Sequence, residues 1–134
     1  IGPGTDLGGE EVDTWGAFYP DSDSWKTYAP PPGFISDSRY VAAFVWTGQE
    51  AIIFGGLDNH DSSQTLNVGA RPNPQPGAWT ALTAPNPPAP VRQAACTRTG
   101  TEMLVTAGFN YNSTYMRDVW AYRPPRQFYL YPRP

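Results

Sequence analysis

The sequence is poor in the residue types from which metal and redox sites are usually built. Its 134 residues include one cysteine, Cys96, and one histidine, His60. An internal disulfide needs two cysteines, and a zinc site cannot be assembled from one cysteine and one histidine. We therefore predict no metal, no cofactor and no catalytic residue set, and we expect Cys96 to be a buried, inert small side chain.

Clusters of basic residues and long apolar runs are also missing. Nine Lys and Arg are scattered among twelve Asp and Glu, giving a net charge of −3. This balance argues against a nucleic acid partner, which requires a concentrated basic surface. The longest apolar run, residues 41–46, is far shorter than the roughly 20 residues of a membrane-spanning helix, so we predict no transmembrane segment.

Proline, glycine and aromatic residues are abundant instead. The chain has 16 Pro and 13 Gly, which disfavour helix interiors, together with five Trp, eight Tyr and six Phe that need to be buried. No stretch shows apolar residues at helical spacing free of Pro and Gly. This combination predicts a single all-β domain of short strands and tight turns.

One hairpin pattern occurs twice. Residues 42–56 contain two apolar runs joined by the turn motif Thr-Gly-x-Glu at 47–50, and the second run ends in a glycine pair. Residues 94–108 repeat the pattern, with the same turn motif at 99–102, 52 positions later. Self-similarity at this period is typical of a repeat architecture.

The remaining strand patterns follow the same order around each hairpin. They predict a half unit at residues 13–28 and two full units at 39–82 and 92–131. The predicted strands are 13–19 and 25–28, then 39–46, 50–54, 65–70 and 79–82, then 92–98, 102–106, 117–122 and 128–131.

Arranged in this way, the chain resembles the Kelch family of β-propellers. An arginine begins the first strand of each full unit, a Gly-Gly or Ala-Gly pair ends the second, and aromatic residues mark the third and fourth. The matching residues are Arg39, Arg92, Gly55, Gly56, Gly108, Trp25, Trp79 and Trp120. The resemblance implies antiparallel four-stranded blades, with the glycines allowing close backbone approach and the tryptophans packed between blades, although a sugar-stacking role for Trp25 and Trp79 is an alternative.

Two and a half blades make an incomplete ring, because propellers close with about four to eight. We therefore expect a protein partner, or further copies of the same repeat, to complete the structure. In particular, the strand predicted at 13–19 has an apolar edge that we expect another polypeptide, or residues 1–12, to cover.

The polar loops between the second and third strands are the candidate ligand-binding region. They contain Asp58, Asn59, His60 and Tyr111. The simpler interpretation of His60 is a solvated loop residue, since no nucleophile or partner for a catalytic base is identifiable.

Our leading functional hypothesis is a non-enzymatic binding or assembly module. The alternative is an arc of a larger propeller enzyme or carbohydrate-binding lectin whose active residues lie elsewhere. Carbohydrate is therefore a further candidate ligand. An extracellular or periplasmic location is favoured, although the cysteine content does not fix the compartment.

Overall fold

The computed structural model describes residues 4–5, 7–8, 11–12, 15–28, 39–48, 50–58, 64–72, 79–100, 102–123 and 127–130. All regular elements of this part of the chain are β-strands, apart from one 3-10 turn at Pro20–Ser22. The all-β prediction is therefore confirmed. The predictions made for Asn59 and His60 lie outside the described residues.

The described residues form fourteen strands. In chain order they are β1 (Gly4–Thr5), β2 (Glu11–Val12), β3 (Trp15–Tyr19), β4 (Ser24–Tyr28), β5 (Arg39–Tyr40), β6 (Ala43–Trp46), β7 (Ala51–Phe54), β8 (Leu57–Asp58), β9 (Gly69–Pro72), β10 (Trp79–Ala81), β11 (Ala95–Thr99), β12 (Glu102–Thr106), β13 (Val119–Arg123) and β14 (Gln127–Leu130).

Three groups of antiparallel strands dominate. Strands β3 and β4 form the N-terminal hairpin; β6, β7, β9 and β10 form the central sheet; and β11 to β14 form the C-terminal sheet. In both four-stranded sheets, the member strands lie side by side in the order in which they occur along the chain. Two small pairs, β1–β2 and β5–β8, complete the pairing. The grouping into two, four and four strands follows the order predicted from the sequence.

The predicted hairpin at the centre of the chain is present. Strand β6 pairs with β7 from Ala43–Phe54 to Trp46–Ala51. Thr47 closes the turn: its backbone N–H donates to the Glu50 carbonyl at 2.9 Å, and its hydroxyl donates to the same oxygen at 3.0 Å. Side chains alternate between the two faces of the sheet because successive residues of a strand point in opposite directions.

One face of the central sheet packs against the C-terminal sheet. Alternate residues of β6 and β7 join residues of β12 and β13 in one apolar cluster, which also contains Val91 from the connecting segment. Its buried members are Ala43, Val45, Ile52, Phe54, Val91, Met103, Val105 and Tyr122. Every second side chain of β6 and β7 therefore faces the C-terminal sheet, and the side chains between them point to the opposite face.

The opposite face of the central sheet packs against the N-terminal hairpin. Trp15 of the hairpin, Ile53 and Ala70 are buried together, with Tyr28 and Trp79 partly buried beside them. The structure is thus a stack of three layers with the central sheet in the middle. Apolar burial on both faces explains why β7 has three consecutive buried residues at its end.

Backbone conformation repeats along with the strands. Positive φ angles occur at four pairs of positions 52 residues apart. They are Val41 and Gln93 (53° and 52°), Gly48 and Gly100 (98° and 69°), Gly55 and Ala107 (70° and 56°), and Gly56 and Gly108 (99° and 83°). Such angles are uncommon outside glycine, so their recurrence at one spacing supports the sequence repeat on independent grounds.

Strand register extends the repeat to the N-terminal hairpin. Each of the three residue pairs between β9 and β10 has a counterpart 54 residues earlier in the hairpin. The pair Gly16–Thr27 corresponds to Ala70–Ala81, Ala17–Lys26 to Arg71–Thr80, and Phe18–Trp25 to Pro72–Trp79. The hairpin is therefore equivalent to the third and fourth strands of the central sheet.

The structure corrects several strand boundaries. The predicted strand 39–46 is interrupted at Val41, whose positive φ turns β5 away to pair with β8. Strand β8 lies in a segment predicted to be a loop. The predicted strand 65–70 begins only at Gly69, and Thr65 makes an isolated bridge to Leu57. These departures are set by backbone turns that alternation of side chains does not record.

Candidate functional site

The loops predicted to bind a ligand are only partly placed. Asp58 lies in β8, with its backbone paired to Arg39. Tyr111 is 53% exposed, and its backbone N–H donates to the hydroxyl of Thr65 at 3.3 Å. This contact brings the loop between β12 and β13 next to the segment that precedes β9. The other two predicted residues, Asn59 and His60, lie outside the described residues.

The loop that carries Tyr111 is held by its own polar groups. The Asn110 side-chain oxygen accepts a hydrogen bond from the Thr114 backbone N–H at 2.9 Å, and Ser113 has a φ of 57°. Phe109 at the base of the loop contacts the ring of Tyr115 edge-on, with ring centroids 6.0 Å apart. Both Tyr111 and Tyr115 are exposed, so the loop presents two phenol rings to solvent.

Arg92 stabilises the base of this loop. Its guanidinium carbon lies 4.6 Å from the Phe109 ring centroid, a cation–π arrangement. Its backbone N–H and carbonyl also exchange hydrogen bonds with Phe109. Arg92 is therefore engaged with Phe109 through both its side chain and its backbone. The side chain of its counterpart Arg39 lies outside the description.

The glycine pair after β7 has the conformation expected from the sequence. Gly55 and Gly56 both have positive φ. A Cβ added at Gly55 would overlap the carbonyl oxygen of Val91, and one added at Gly108 would lie 2.6 Å from the carbonyl oxygen of Arg92. The backbone of the segment before β11 passes too close for a side chain, so these glycines are required by close approach as well as by φ.

Among the described residues, each four-stranded sheet has a carboxylate–guanidinium pair. Arg71 donates to both carboxylate oxygens of Glu50, at 2.9 and 3.2 Å. Arg123 pairs with Glu102, whose carboxylate also accepts a hydrogen bond from Thr99 at 3.0 Å. The glutamates are the last residues of the two turn motifs. Because each glutamate is paired with an arginine of its own sheet, we assign both pairs to the stabilisation of the sheets.

The predicted core tryptophans differ in burial. Trp79 is partly buried and meets Trp15 with ring centroids 4.9 Å apart, and Trp120 packs against the cluster between the two four-stranded sheets. Trp25 holds the same register position as Trp79 but is 56% exposed, with Phe18 as its ring neighbour at 5.3 Å. The expectation that Trp25 lies in the core is wrong for this chain, because the hairpin face that carries it is the outer face of the stack.

A second exposed aromatic pair was not anticipated from the sequence. Phe44 and Trp46 of β6 are 42% and 56% exposed, although they lie in the most apolar run of the chain. Phe44 touches Trp15, with ring centroids 5.8 Å apart, and Trp46 extends beyond it. The apolar character of this run signalled burial on both faces, whereas the described N-terminal hairpin covers only part of one.

Two titratable groups of the described residues have perturbed pKa values. Burial raises the pKa of the Cys96 thiol, which donates a hydrogen bond to the Phe44 carbonyl oxygen at 3.0 Å. The hydroxyls of Tyr19 and Tyr28 lie 2.6 Å apart, and this hydrogen bond raises the pKa of Tyr28. Cys96 is half-buried between the sheets, so its thiol is less ionised and less reactive than a free one.

The described residues contain no group of three or more His, Cys, Asp or Glu placed to hold a metal ion. Across the same residues, no helix has the length and apolar character needed to cross a membrane. No protein-family description matches the chain, and no curated protein matches it significantly. The features of this chain that bear on its function are the layered repeat, the exposed aromatic residues and the tyrosine-bearing loop.

Proposed function

We propose that this chain is a Kelch-type β-propeller segment of about two and a half blades that serves as a non-enzymatic assembly module. The observation that carries the proposal is the difference between Trp79 and Trp25. The two residues hold equivalent positions, yet the first meets Trp15 of the preceding layer and the second is exposed. An additional layer on the hairpin would bury Trp25 as the hairpin buries Trp79.

The stacking rule supports the same proposal. In both interfaces of the stack, one face of a layer packs on the opposite face of the layer before it. A propeller is built by this rule, and Gly55 stands where the segment that leads into the C-terminal sheet passes close to the end of β7. The described hairpin is a partial layer, and it leaves apolar surface that another polypeptide can cover.

The test is the mass of the native particle. The chain, tagged in its natural host and purified under mild conditions, is expected to appear in native mass spectrometry together with a separate polypeptide or with further copies. A particle with the mass of the single chain would contradict the assembly function. A covalent remainder of the same repeat type would favour an arc of a larger propeller enzyme instead.

The exposed loop tyrosines favour carbohydrate binding as a second function. Tyr111 and Tyr115 present two aromatic rings on one braced loop, and sugars bind exposed aromatic faces by stacking. Titration with a panel of oligosaccharides is expected to reveal binding that Tyr115→Ala weakens at least about tenfold, an effect typical of a hot-spot aromatic. Equal binding by the variant would remove this second function.

A further inference from the structure

Phe44 and Trp46 form an exposed aromatic step on the central sheet. Both side chains project from β6 toward the side of the sheet that the N-terminal hairpin covers, since they alternate with Ala43 and Val45, which face the C-terminal sheet. The hairpin buries Ile53 on the neighbouring strand β7 but leaves Phe44 42% and Trp46 56% exposed. The step is therefore apolar surface at the margin of an existing interface.

The step is exposed because the hairpin supplies only two strands. Its register is equivalent to β9 and β10, the third and fourth strands of the central sheet. Adjacent strands of a sheet are about 4.8 Å apart, so equivalents of the first and second strands would extend the hairpin by about 10 Å over β6. The described pairing joins β1 to β2, and β3 to β4, but does not place either β1 or β2 over the step.

The next interface of the stack shows what covers these positions when a full layer is present. Cys96 lies 52 residues after Phe44 and is half-buried against β6, with its thiol 3.0 Å from the Phe44 carbonyl. The covering strand presents Ala43 and Val45, small apolar side chains at alternate positions. At the interface with the C-terminal sheet, the position over Cys96 is therefore occupied by β6, which is hydrogen-bonded to β7.

We infer that the aromatic step binds a two-stranded β-hairpin of another polypeptide, one that presents small apolar or threonine side chains at alternate positions. The bound hairpin lies over Phe44 and Trp46 as β6 and β7 lie over Cys96. An aromatic side chain buries on the order of 150 to 250 Å² when fully covered, and Phe44 and Trp46 still expose about half of their surface for this contact. The inference rests on the proposed assembly function and specifies the site and the kind of partner.

A cyclic peptide tests the site directly. The probe carries residues 95–106, the chain's own counterpart of the β6–β7 hairpin, with Cys96→Ser and a D-Pro-Gly link that joins its ends. The link is needed because an isolated two-stranded hairpin is marginally stable in water. Titration into the full chain, followed by calorimetry, is expected to show binding, with slower amide hydrogen exchange in residues 43–46.

Two matched tryptophan variants locate the binding. Trp46→Ala should weaken binding at least about tenfold, as expected for a hot-spot tryptophan. Trp25→Ala should leave it within about twofold, because Trp25 is equally exposed but lies on the far face of the hairpin. A peptide with Thr97→Lys and Leu104→Lys on its contacting face should not bind.

Lack of binding up to about 1 mM peptide would overturn the inference, since that limit corresponds to negligible affinity. Equal losses for Trp46→Ala and Trp25→Ala would also overturn it. Failure of the peptide together with a native particle larger than one chain refutes this site alone. Specific peptide binding together with a native single chain refutes the assembly function and retains the site.

Discussion

The central and C-terminal sheets share one fold but have different surroundings. The central sheet places Ala43, Val45 and Phe54 in the interface with the C-terminal sheet. The positions 52 residues later are Ala95, Thr97 and Thr106, which face away from the stack and are exposed or partly exposed. Threonine keeps the branched shape that suits a strand and adds a hydroxyl that suits water. Between the two sheets, the side chains at equivalent positions differ according to whether they are buried. The turn motifs and backbone angles are the same in both.

Removing a ring from the covered face should have the largest effect. Phe54 is fully buried, so Phe54→Ala is expected to lower the free energy of unfolding by about 3 to 5 kcal/mol. Thr106→Ala at the equivalent position loses one hydrogen bond, from its hydroxyl to the Asp118 carbonyl at 3.1 Å, and should cost about 1 kcal/mol. Urea unfolding of both variants measures the difference. If Phe54→Ala does not fold, Phe54→Leu provides the comparison, and equal costs would contradict the assigned faces.

Exchanging glycine and alanine after the second strand should have opposite effects in the two sheets. Gly55→Ala places a Cβ against the Val91 carbonyl at positive φ and should destabilise the fold by more than about 2 kcal/mol. Ala107 already adopts a φ of 56°, which costs an alanine about 1 kcal/mol, so Ala107→Gly should be neutral or stabilising by up to that amount. Thermal unfolding of the two variants checks the signs. Destabilisation by Ala107→Gly would show that its Cβ makes a needed contact.

The two ion pairs should differ in strength. The Glu102 side chain is 8% exposed and that of Glu50 is 22% exposed. Glu102→Gln weakens contacts to both Arg123 and Thr99, and we expect a cost of about 1.5 to 3 kcal/mol. Glu50→Gln should cost about 1 kcal/mol or less, because the pair it breaks is more hydrated. Chemical unfolding in low and high salt measures both, and a larger effect at Glu50 would contradict the order.

The smallest effect concerns Cys96, which stands where the central sheet has Phe44. Because burial raises its pKa, the folded state holds the thiol proton more tightly than the unfolded state. Its contribution to stability is therefore complete below the unfolded pKa of about 8.5 and is lost as pH rises through the folded value. Thiol labelling should be slower in the folded chain than in urea, and Cys96→Ala should remove the corresponding decline in stability at alkaline pH. Equal labelling rates would show that the thiol is accessible.

The sequence predicted the local elements well. The Thr-Gly-x-Glu turn and the apolar runs around it specified the β6–β7 and β11–β12 hairpins, because turn chemistry and alternation act over a few residues. The strand predicted at 102–106 agrees with the observed bounds Glu102–Thr106. The 52-residue spacing was recognised from the same motifs and recurs in the backbone angles.

Burial between layers was less predictable. The apolar composition of β6 is typical of a strand buried on both faces, but the exposure of Phe44 and Trp46 depends on how many strands the neighbouring layer contributes. The resemblance to propeller blades implied a core position for Trp25 as for Trp79, but a repeat pattern does not distinguish an inner layer from an outer one. The positive φ of Val41 could not be predicted from the sequence either, because a β-branched residue rarely adopts such an angle. Of the four candidate ligand-binding residues, Asp58 and Tyr111 lie in the part of the chain that the structure describes.

The unequal ends of the stack make the molecule a directional building unit. One end presents bare aromatic rings, and the other presents a surface with threonines at Thr97 and Thr106. A duplicated unit fused ahead of the hairpin would meet a receptive apolar surface, whereas a unit fused after the last strand would have to dehydrate hydroxyl groups. Lengthening by gene duplication is therefore energetically favoured at the amino-terminal side. For protein engineers, that side is the place to add repeats, because the opposite side would bury threonine hydroxyls.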